Sequence, residues 1–395
     1  MLFRSSITDG SIGDATTFTV RPAALTAFVT DDLADQTAGV TTSVSATPYD
    51  AYGNVKTDYG IGSARLVGSA LERSPGCASC SPALAARDGS AGTAEWLAGS
   101  STIRFPAAVF YRAGSATVAI SDGTVSDATT FTIRPGAELR GLTISDTDGT
   151  RGRESLTTGD RTAGITFDLR VTAYDAYGNV NSGYAGGATL SGLRASPGCT
   201  GCAPDLPAEA PDYGSPGWSG GIGVYAGVVA YEATSGVRLT VLDAASAVSN
   251  TTGTFTVRPA TLSGLTLTSR TDGTVATARS ATDRAAGTGN AVRDQTAGIA
   301  VSVTVTAFDR YGNLKTDYAG GARLDGSAFG SSPGCSPCGR SASSGDRSSG
   351  TWSGGTGRYR VTFYDASPSA SLSVDRKSTR LNSSHVSESR MPSSA

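Results

Sequence analysis

Histidine is almost absent from this sequence of 395 residues, in which it occurs once, as His385 near the C-terminal end. The rest of the chain therefore has neither a Ser-His-Asp nor a Cys-His arrangement for nucleophilic catalysis, and no histidine for a metal site. Carboxylates are scattered in segments with no hydrophobic setting that would shift their pKa values. We expect that the protein is not an enzyme and has no catalytic residues.

Charge of either sign is also scarce, since charged residues make up 17% of the chain and the net charge is −2. So neutral a field attracts neither nucleic acid nor an anionic membrane. No apolar run approaches the length that a bilayer span needs. We expect no nucleic-acid partner and no membrane span in this sequence.

What the sequence has in abundance is glycine, with 51 residues, and a pattern that recurs three times. A segment (Tyr/Phe)-Asp-x-Tyr-Gly-Asn occupies residues 49–54, 174–179 and 308–313, and Asp-(Gln/Arg)-Thr-Ala-Gly precedes each copy. The aspartates Asp50, Asp175 and Asp309 lie 125 and 134 residues apart. This spacing favours one β-sandwich domain per repeat over the short coils of a solenoid.

Between the two markers of each repeat, apolar and polar residues alternate. The inner face of this strand is predicted to carry Ile165, Phe167, Leu169, Val171 and Ala173 in the second copy and Ile299, Val301, Val303, Val305 and Ala307 in the third. A period of two with one polar face is typical of a half-buried antiparallel strand. With about seven short strands per repeat, the sequence predicts an all-β protein.

Residues 171–180, Val-Thr-Ala-Tyr-Asp-Ala-Tyr-Gly-Asn-Val, resemble the V-x-A-x-D-x-x-G-N segment of bacterial immunoglobulin-like repeats. Such repeats occur in tandem in large secreted or wall-attached proteins, including invasin- and intimin-like adhesins. The resemblance covers nearly all of residues 7–375 and implies tandem immunoglobulin-like antiparallel β-sandwich domains in an extracellular or cell-surface protein. It says little about function, because these modules mostly space or present other domains.

The domain boundaries follow from the repeats. Residues 9–22 match residues 122–135 and 249–259, which end the first and second repeats with an Arg-Pro exit. We expect the closing strand of a truncated repeat in 1–22, full repeats in 23–136 and 137–259, and in 260–375 a third repeat that lacks its closing strand and has an unpaired edge. Residues 376–395 have no periodicity and resemble translated sequencing-adapter sequence, so we expect a disordered, artefactual tail.

The Asp-x-x-Gly-Asn motif has two interpretations. In the first it is a tight turn, in which Gly and Asn adopt positive φ and the aspartate accepts backbone N–H bonds. In the second, hard oxygen ligands such as Asp50, Asn54, Asp309 and Asn313 bind calcium. Calcium needs six to eight oxygens, and the second repeat has Gly183 where the other two have a further aspartate, Asp58 or Asp317. The turn is therefore favoured and no cofactor is expected.

Each repeat also has one Cys-x-x-Cys pair after Ser-Pro-Gly. Even number and equal spacing predict a local disulfide in each pair, formed in an oxidising compartment, with zinc and redox roles as alternatives. The three predicted pairs are Cys77 with Cys80, Cys199 with Cys202, and Cys335 with Cys338.

One tryptophan falls in each repeat, and Trp96, Trp218 and Trp352 are either packing residues or contacts for a ligand. The leading hypothesis for function is a non-enzymatic stalk, with neighbouring repeats as partners and stiffness from the Arg-Pro junctions at 134–135 and 258–259. An adhesin that binds a glycan or a host or cell-surface protein through the Trp and Cys loops is the alternative. A third hypothesis is an accessory region of a secreted enzyme.

Overall fold

The computed structural model describes most of the chain. The described residues are 2–8, 10, 13–80, 94–97, 100–146, 159–202, 216–270, 292, 294–335, 338 and 351–376. The predicted artefactual tail, apart from residue 376, lies outside them. Within this part of the chain, no helix is long and apolar enough to cross a membrane.

The chain begins with a hairpin of two strands, β1 (Leu2–Thr8) and β2 (Gly13–Thr19). They pair antiparallel, with Leu2 opposite Thr19 and Thr8 opposite Gly13. Among the described residues, this hairpin forms a sheet of its own with two strands.

The first repeat is a two-layer sandwich. One sheet has the order β3-β5-β8-β7 and the other β4-β10-β9-β6, in which the short β4 pairs parallel with the closing strand β10. The opening strand is divided into β3, in one sheet, and β4, in the other. This arrangement is that of an immunoglobulin-like domain. Its strands are β3 (Leu25–Thr30), β4 (Gln36–Thr37), β5 (Thr41–Asp50), β6 (Arg65–Val67), β7 (Glu95–Trp96), β8 (Ile103–Val109), β9 (Gly114–Ser121) and β10 (Ser126–Arg134).

The second repeat has the same plan with a divided closing strand. One layer has the order β11-β13-β15, and the other contains β14-β16-β17 and the parallel pair β12-β18. Its strands are β11 (Gly141–Asp146), β12 (Arg161–Thr162), β13 (Thr166–Tyr174), β14 (Thr189–Ser191), β15 (Ile222–Val229), β16 (Thr240–Asp243), β17 (Val248–Thr251) and β18 (Val257–Arg258).

The third repeat has one complete layer, β19-β20-β23-β22, and a second layer whose described strands are β21 and β24. Among the described residues, short 3-10 helices lie at Ile61–Ser63 and Ser69–Leu71, on either side of β6, and at Ser327–Phe329 after β21. The strands are β19 (Leu262–Arg270), β20 (Ala300–Asp309), β21 (Ala322–Asp325), β22 (Thr351–Ser353), β23 (Thr356–Thr362) and β24 (Ser373–Arg376).

The predicted alternation is confirmed in the strands and wrong at their first residues. Leu169, Val171 and Ala173 are buried in β13, and the same face of β20 is buried in the third repeat. Ile165 and Ile299, however, are 62% and 61% exposed, because each precedes the strand and its sandwich. The chain is thus all-β, with tandem immunoglobulin-like antiparallel β-sandwich domains that each enclose a separate hydrophobic core.

Candidate functional site: the joints between the repeats

The Asp-x-x-Gly-Asn motif forms a tight turn at the end of a core strand that faces the preceding domain. In the second repeat, Asp175 Oδ1 accepts the N–H groups of Tyr177 and Asn179, both at 2.9 Å. Its Oδ2 accepts the N–H of Gly136 at 2.8 Å and the side-chain amide of Asn179 at 2.9 Å. One carboxylate therefore connects the interdomain linker to the turn.

In the first repeat, Asp50 makes the equivalent contacts. Its Oδ1 accepts N–H bonds from Tyr52 and Asn54, and its Oδ2 accepts bonds from Ala23 and the Asn54 side chain, at 2.8–3.0 Å. These bonds, the one from the Asn54 side chain above all, lower the pKa of Asp50 to about 2. Four N–H donors occupy the acceptor positions of this carboxylate, which favours the turn over the calcium site.

The third repeat has the same turn at Asp309, whose carboxylate accepts N–H bonds from Ala260, Tyr311 and Asn313. Among the described residues, no group of three or more His, Cys, Asp or Glu side chains is placed to hold a metal ion. The calcium ligands proposed from the sequence, Asp309 and Asn313, are held together by a hydrogen bond of 2.9 Å between their side chains.

The prediction for asparagine is wrong in its mechanism. The glycines of the turns have positive φ, +77° at both Gly178 and Gly312, as a tight turn requires. The asparagines do not have positive φ. Asn179 is instead buried and reaches into the first repeat, where its Oδ1 accepts the N–H of Ala113 at 2.9 Å and its Nδ2 donates to the carbonyl of Tyr111 at 2.8 Å.

Asn313 makes the same two bonds one joint further along. Its Oδ1 accepts the N–H of Ala233 at 2.8 Å, and its Nδ2 donates to the carbonyl of Tyr231 at 2.7 Å. Both asparagines are nearly inaccessible, at 5% and 3% exposure. A buried amide with its donors and acceptor paired fixes the relative position of the groups that it joins.

In the second and third turns, the tyrosine packs into the preceding repeat against a glycine. A methyl group added to Gly39 would overlap the Tyr177 hydroxyl, and one added to Gly164 would overlap the Tyr311 hydroxyl. Tyr177 also packs on Tyr111, with ring centroids 5.1 Å apart. Glycine at this place lets the ring approach the backbone closely. We call this glycine the socket of the joint.

The equivalent ring at the second joint, Tyr311, is 5% exposed and belongs to the core cluster of the second repeat. It packs on Tyr231 with ring centroids 5.2 Å apart. Buried aromatic anchors in pockets contribute most of the free energy of protein interfaces.

The disulfide loops of the first and second repeats each hold the tyrosine of the next repeat from the other side. The Ser74 hydroxyl and the N–H of Gly76 both donate to the carbonyl of Tyr177. Ser196 and Gly198 donate in the same way to the carbonyl of Tyr311. Two disulfides, Cys77–Cys80 and Cys199–Cys202, follow these donors directly, and Cys335–Cys338 is the disulfide of the third repeat.

The tryptophans are half-buried and lie within their own domains. Trp218 meets Tyr184 edge-on with ring centroids 4.6 Å apart, and Trp352 meets Tyr318 in the same way at 4.6 Å. Trp96 packs against the core of the first repeat. Contact with a glycan or a protein through these side chains stays a prediction.

The aspartate, asparagine and cysteine positions of the joints are evident from the sequence, whereas the tyrosines and their glycine sockets are not. The signal was present, since Thr-Ala-Gly and Tyr-Gly-Asn recur together in every repeat. Their contact joins a glycine of one repeat to a tyrosine of the next, however, and a pattern read within one repeat does not show it.

No family model matches this chain, and no curated protein matches it. Among solved structures, invasin, a bacterial integrin-binding protein, is 12% identical over 89% of this chain and 56% of that chain, with a TM-score of 0.33. The S-layer protein rSbsC is 13% identical over 96% of this chain and 45% of its own, with a TM-score of 0.24. The titin I9–I11 tandem is 8% identical over 88% and 94%, with a TM-score of 0.23. At these values the likenesses carry no argument about function.

Proposed function

We propose that this chain is a non-enzymatic spacer segment of a secreted or cell-surface protein, in which the joints keep consecutive repeats in a fixed orientation. The observation that carries the proposal is that one set of contacts recurs at both internal boundaries. Tyr177 and Tyr311 each have the same glycine socket, the same stacked tyrosine and the same two donors to the carbonyl.

Contacts of this kind stiffen a joint because they restrain it from several sides. The Asn179 amide holds the segment after strand β8, the loop at Ser74 holds the Tyr177 carbonyl, and Asp175 holds the linker at Gly136. Relative domain motion is the default where an interface is small and polar. A buried aromatic side chain with paired hydrogen bonds opposes that motion.

The disulfides support the placement outside the cytosol. Small disulfides persist in oxidising compartments and are rare where glutathione keeps thiols reduced. All six cysteines of the sequence are paired within their own repeats. In this proposal the disulfides stabilise the loops that donate hydrogen bonds to the tyrosine carbonyls.

The proposal is tested by the distance between spin labels across one joint. Val67 in the first repeat and Leu242 in the second are 43% and 40% exposed, so each accepts a labelled cysteine. A stiff joint gives a narrow distance distribution, and Tyr177→Ala broadens it. Tyr52→Ala, which removes the exposed tyrosine of the first turn, is the matched control. A broad distribution in the parent protein would refute the spacer function.

A further inference from the structure

The segment that precedes the disulfide differs in length among the three repeats. Residues 68–74 of the first repeat are Gly-Ser-Ala-Leu-Glu-Arg-Ser, and residues 326–332 of the third are Gly-Ser-Ala-Phe-Gly-Ser-Ser. The second repeat has Gly-Leu-Arg-Ala-Ser at residues 192–196, which is two residues shorter. The first glycines of the segments are equivalent, since a methyl group added to any of them would overlap a facing backbone carbonyl, which is that of Thr117, Arg238 or Ser371.

In the first and third repeats, the two additional residues belong to a 3-10 turn that packs beside the core. These turns are Ser69–Leu71 and Ser327–Phe329, and their middle residues, Ala70 and Ala328, are buried. The second repeat lacks the serine and the alanine of this turn.

The second repeat also lacks an aromatic ring in the same region. The N–H of the glycine in each Thr-Ala-Gly segment donates to the carbonyl of Phe110, Ala230 or Phe363, so these three residues are equivalent. In the third repeat, the ring of Phe363 packs on Phe329 of the turn, with ring centroids 5.5 Å apart. Alanine at residue 230 therefore removes further volume beside the missing turn.

A cavity of about 210 Å³ lies at this place in the second repeat. It is lined by Gly192 and Leu193, between which the two residues are missing, and by Ala230. Its volume is below the roughly 300–1,000 Å³ of pockets for drug-sized ligands. The cavity therefore suits a group of the size of one sugar or one amino acid.

Three charged side chains line the cavity, those of Arg194, Glu232 and Arg238. Arg194 and Glu232 have the places of Glu72 and Arg112 in the first repeat, with the charges exchanged. Arg112 donates a hydrogen bond to Glu72, whereas Nε of Arg194 lies 3.9 Å from Oε2 of Glu232. That buried oxygen accepts no hydrogen bond from the described residues. A buried acceptor without a donor is unfavourable, so a ligand group that donates to the Glu232 carboxylate is favoured.

The two arginines favour an anionic ligand. Both side chains are exposed, and Arg238 forms no ion pair with any described residue. A guanidinium binds a carboxylate through two parallel N–H bonds. Because two guanidinium groups repel an ammonium group placed beside them, the donor that suits Glu232 is a neutral hydroxyl rather than the ammonium of an amino acid.

We propose that this cavity binds a hexuronate, a sugar that combines a carboxylate with several hydroxyls. The ligand carboxylate pairs with Arg238, and a ligand hydroxyl donates to the Glu232 carboxylate. The C–H surface of the sugar ring lies against Leu193, an apolar residue of the lining. This site goes beyond the spacer function and does not rest on it.

Saturation-transfer difference NMR on the full chain tests the inference. D-galacturonate is expected to bind with a Kd of about 1 mM, as suits a ligand of this size. D-galactose lacks the carboxylate and aspartate brings an ammonium, so each is expected to bind at least about tenfold more weakly. Absence of binding by galacturonate, or equal binding by galactose or aspartate, would overturn the inference.

Substitutions locate the bound sugar. Arg238→Gln and Glu232→Met are each expected to weaken galacturonate binding at least about tenfold and to leave thermal melting unchanged. Insertion of Ser-Ala after Gly192 restores the turn of the other repeats and is expected to abolish binding. Arg112→Gln, in the exchanged pair of the first repeat, is the matched control and should leave binding unchanged. Binding that survives both substitutions in the cavity would contradict the assignment.

The galacturonate trimer distinguishes two sources of the same chemistry. A trimer that binds as well as the monomer assigns the site to a residue within an acidic polysaccharide, and a trimer that does not bind assigns it to the free sugar acid. Spin-label distances between Val67 and Leu242, across the first joint, do not depend on this cavity. Failure of the inference therefore leaves the spacer function standing.

Discussion

Residues 49–54 and 174–179 have the same six-residue sequence and the same turn, but their surroundings differ. Both aspartates accept the same set of N–H bonds, and both glycines have positive φ. In the second turn, Asn179 is 5% exposed and Tyr177 packs against the first repeat, whereas in the first turn Tyr52 is 82% exposed. The motif therefore encodes the turn by itself, and docking also requires the socket and loop of a neighbour.

The largest expected effect comes from the group that both turns share. Asp175→Ala leaves four N–H donors without their acceptor and is expected to destabilise the second repeat by about 3 kcal/mol. Asp50→Ala is expected to destabilise the first repeat too, because its turn does not depend on docking. Hydrogen exchange followed by mass spectrometry resolves the repeats, and an Asp50→Ala variant with unchanged protection in the first repeat would break the equivalence of the two turns.

Substitution of the tyrosines should affect stability in the second turn much more than in the first. Tyr177→Ala empties the socket at Gly39 and is expected to lower the stability of the joined repeats by about 2 kcal/mol. Tyr52→Ala removes an exposed ring and is expected to change stability by less than about 0.5 kcal/mol. Urea unfolding of the two variants provides the comparison, and equal effects would contradict a docking role for Tyr177.

Substitution of the asparagines should show a smaller difference in stability between the two turns, again with the larger loss in the second turn. Asn54→Ala loses the bond to Asp50, whereas Asn179→Ala loses the equivalent bond and both bonds to the first repeat. Asn179→Ala, at the joint, is expected to lower the free energy of unfolding by about 1.5 kcal/mol more than Asn54→Ala does. Calorimetric melting of both proteins measures this difference, and equal losses at the two positions would contradict the docking role of Asn179.

The smallest expected effect is on the stability of the first repeat at acidic pH. The folded-state pKa of Asp50, about 2, lies below the usual value of 3.8, so this group stabilises the first repeat fully above about pH 4 and less as the pH falls towards 2. In an Asp50→Asn variant, the loss of stability between pH 4 and pH 2 should be smaller than in the parent. Urea titrations at these pH values test this, and identical pH dependence would rule out the contribution of Asp50.

The features that sequence reasoning predicted are those that depend on residues close together in the chain. Alternation along β13 and β20 reflects the side-chain period of a strand, and the Asp175 turn is closed by donors within four residues. Stiffness from the Arg-Pro junctions stays a prediction. Arg134 and Arg258 pair with Asp35 and Asp160 of their own repeats.

The contacts that cross the joints depend on the relative position of two folded domains. Ser74 lies 103 residues from the tyrosine whose carbonyl it holds, and Asn179 lies 66 residues from Ala113. Nothing in the local sequence around Ser74 indicates that its hydroxyl is directed at the next repeat. The side chains of the joint could be named from the sequence only if the sandwiches were already placed end to end.

Small-angle scattering tests most directly whether the docked tyrosines fix the orientation of consecutive repeats. The comparison uses the wild-type protein and the variant that has both Tyr177→Ala and Tyr311→Ala. We predict that the parent scatters as a rigid rod and that the double substitution gives the broadened distance distribution of a flexible chain. Superimposable profiles, whether both rigid or both flexible, would contradict the claim.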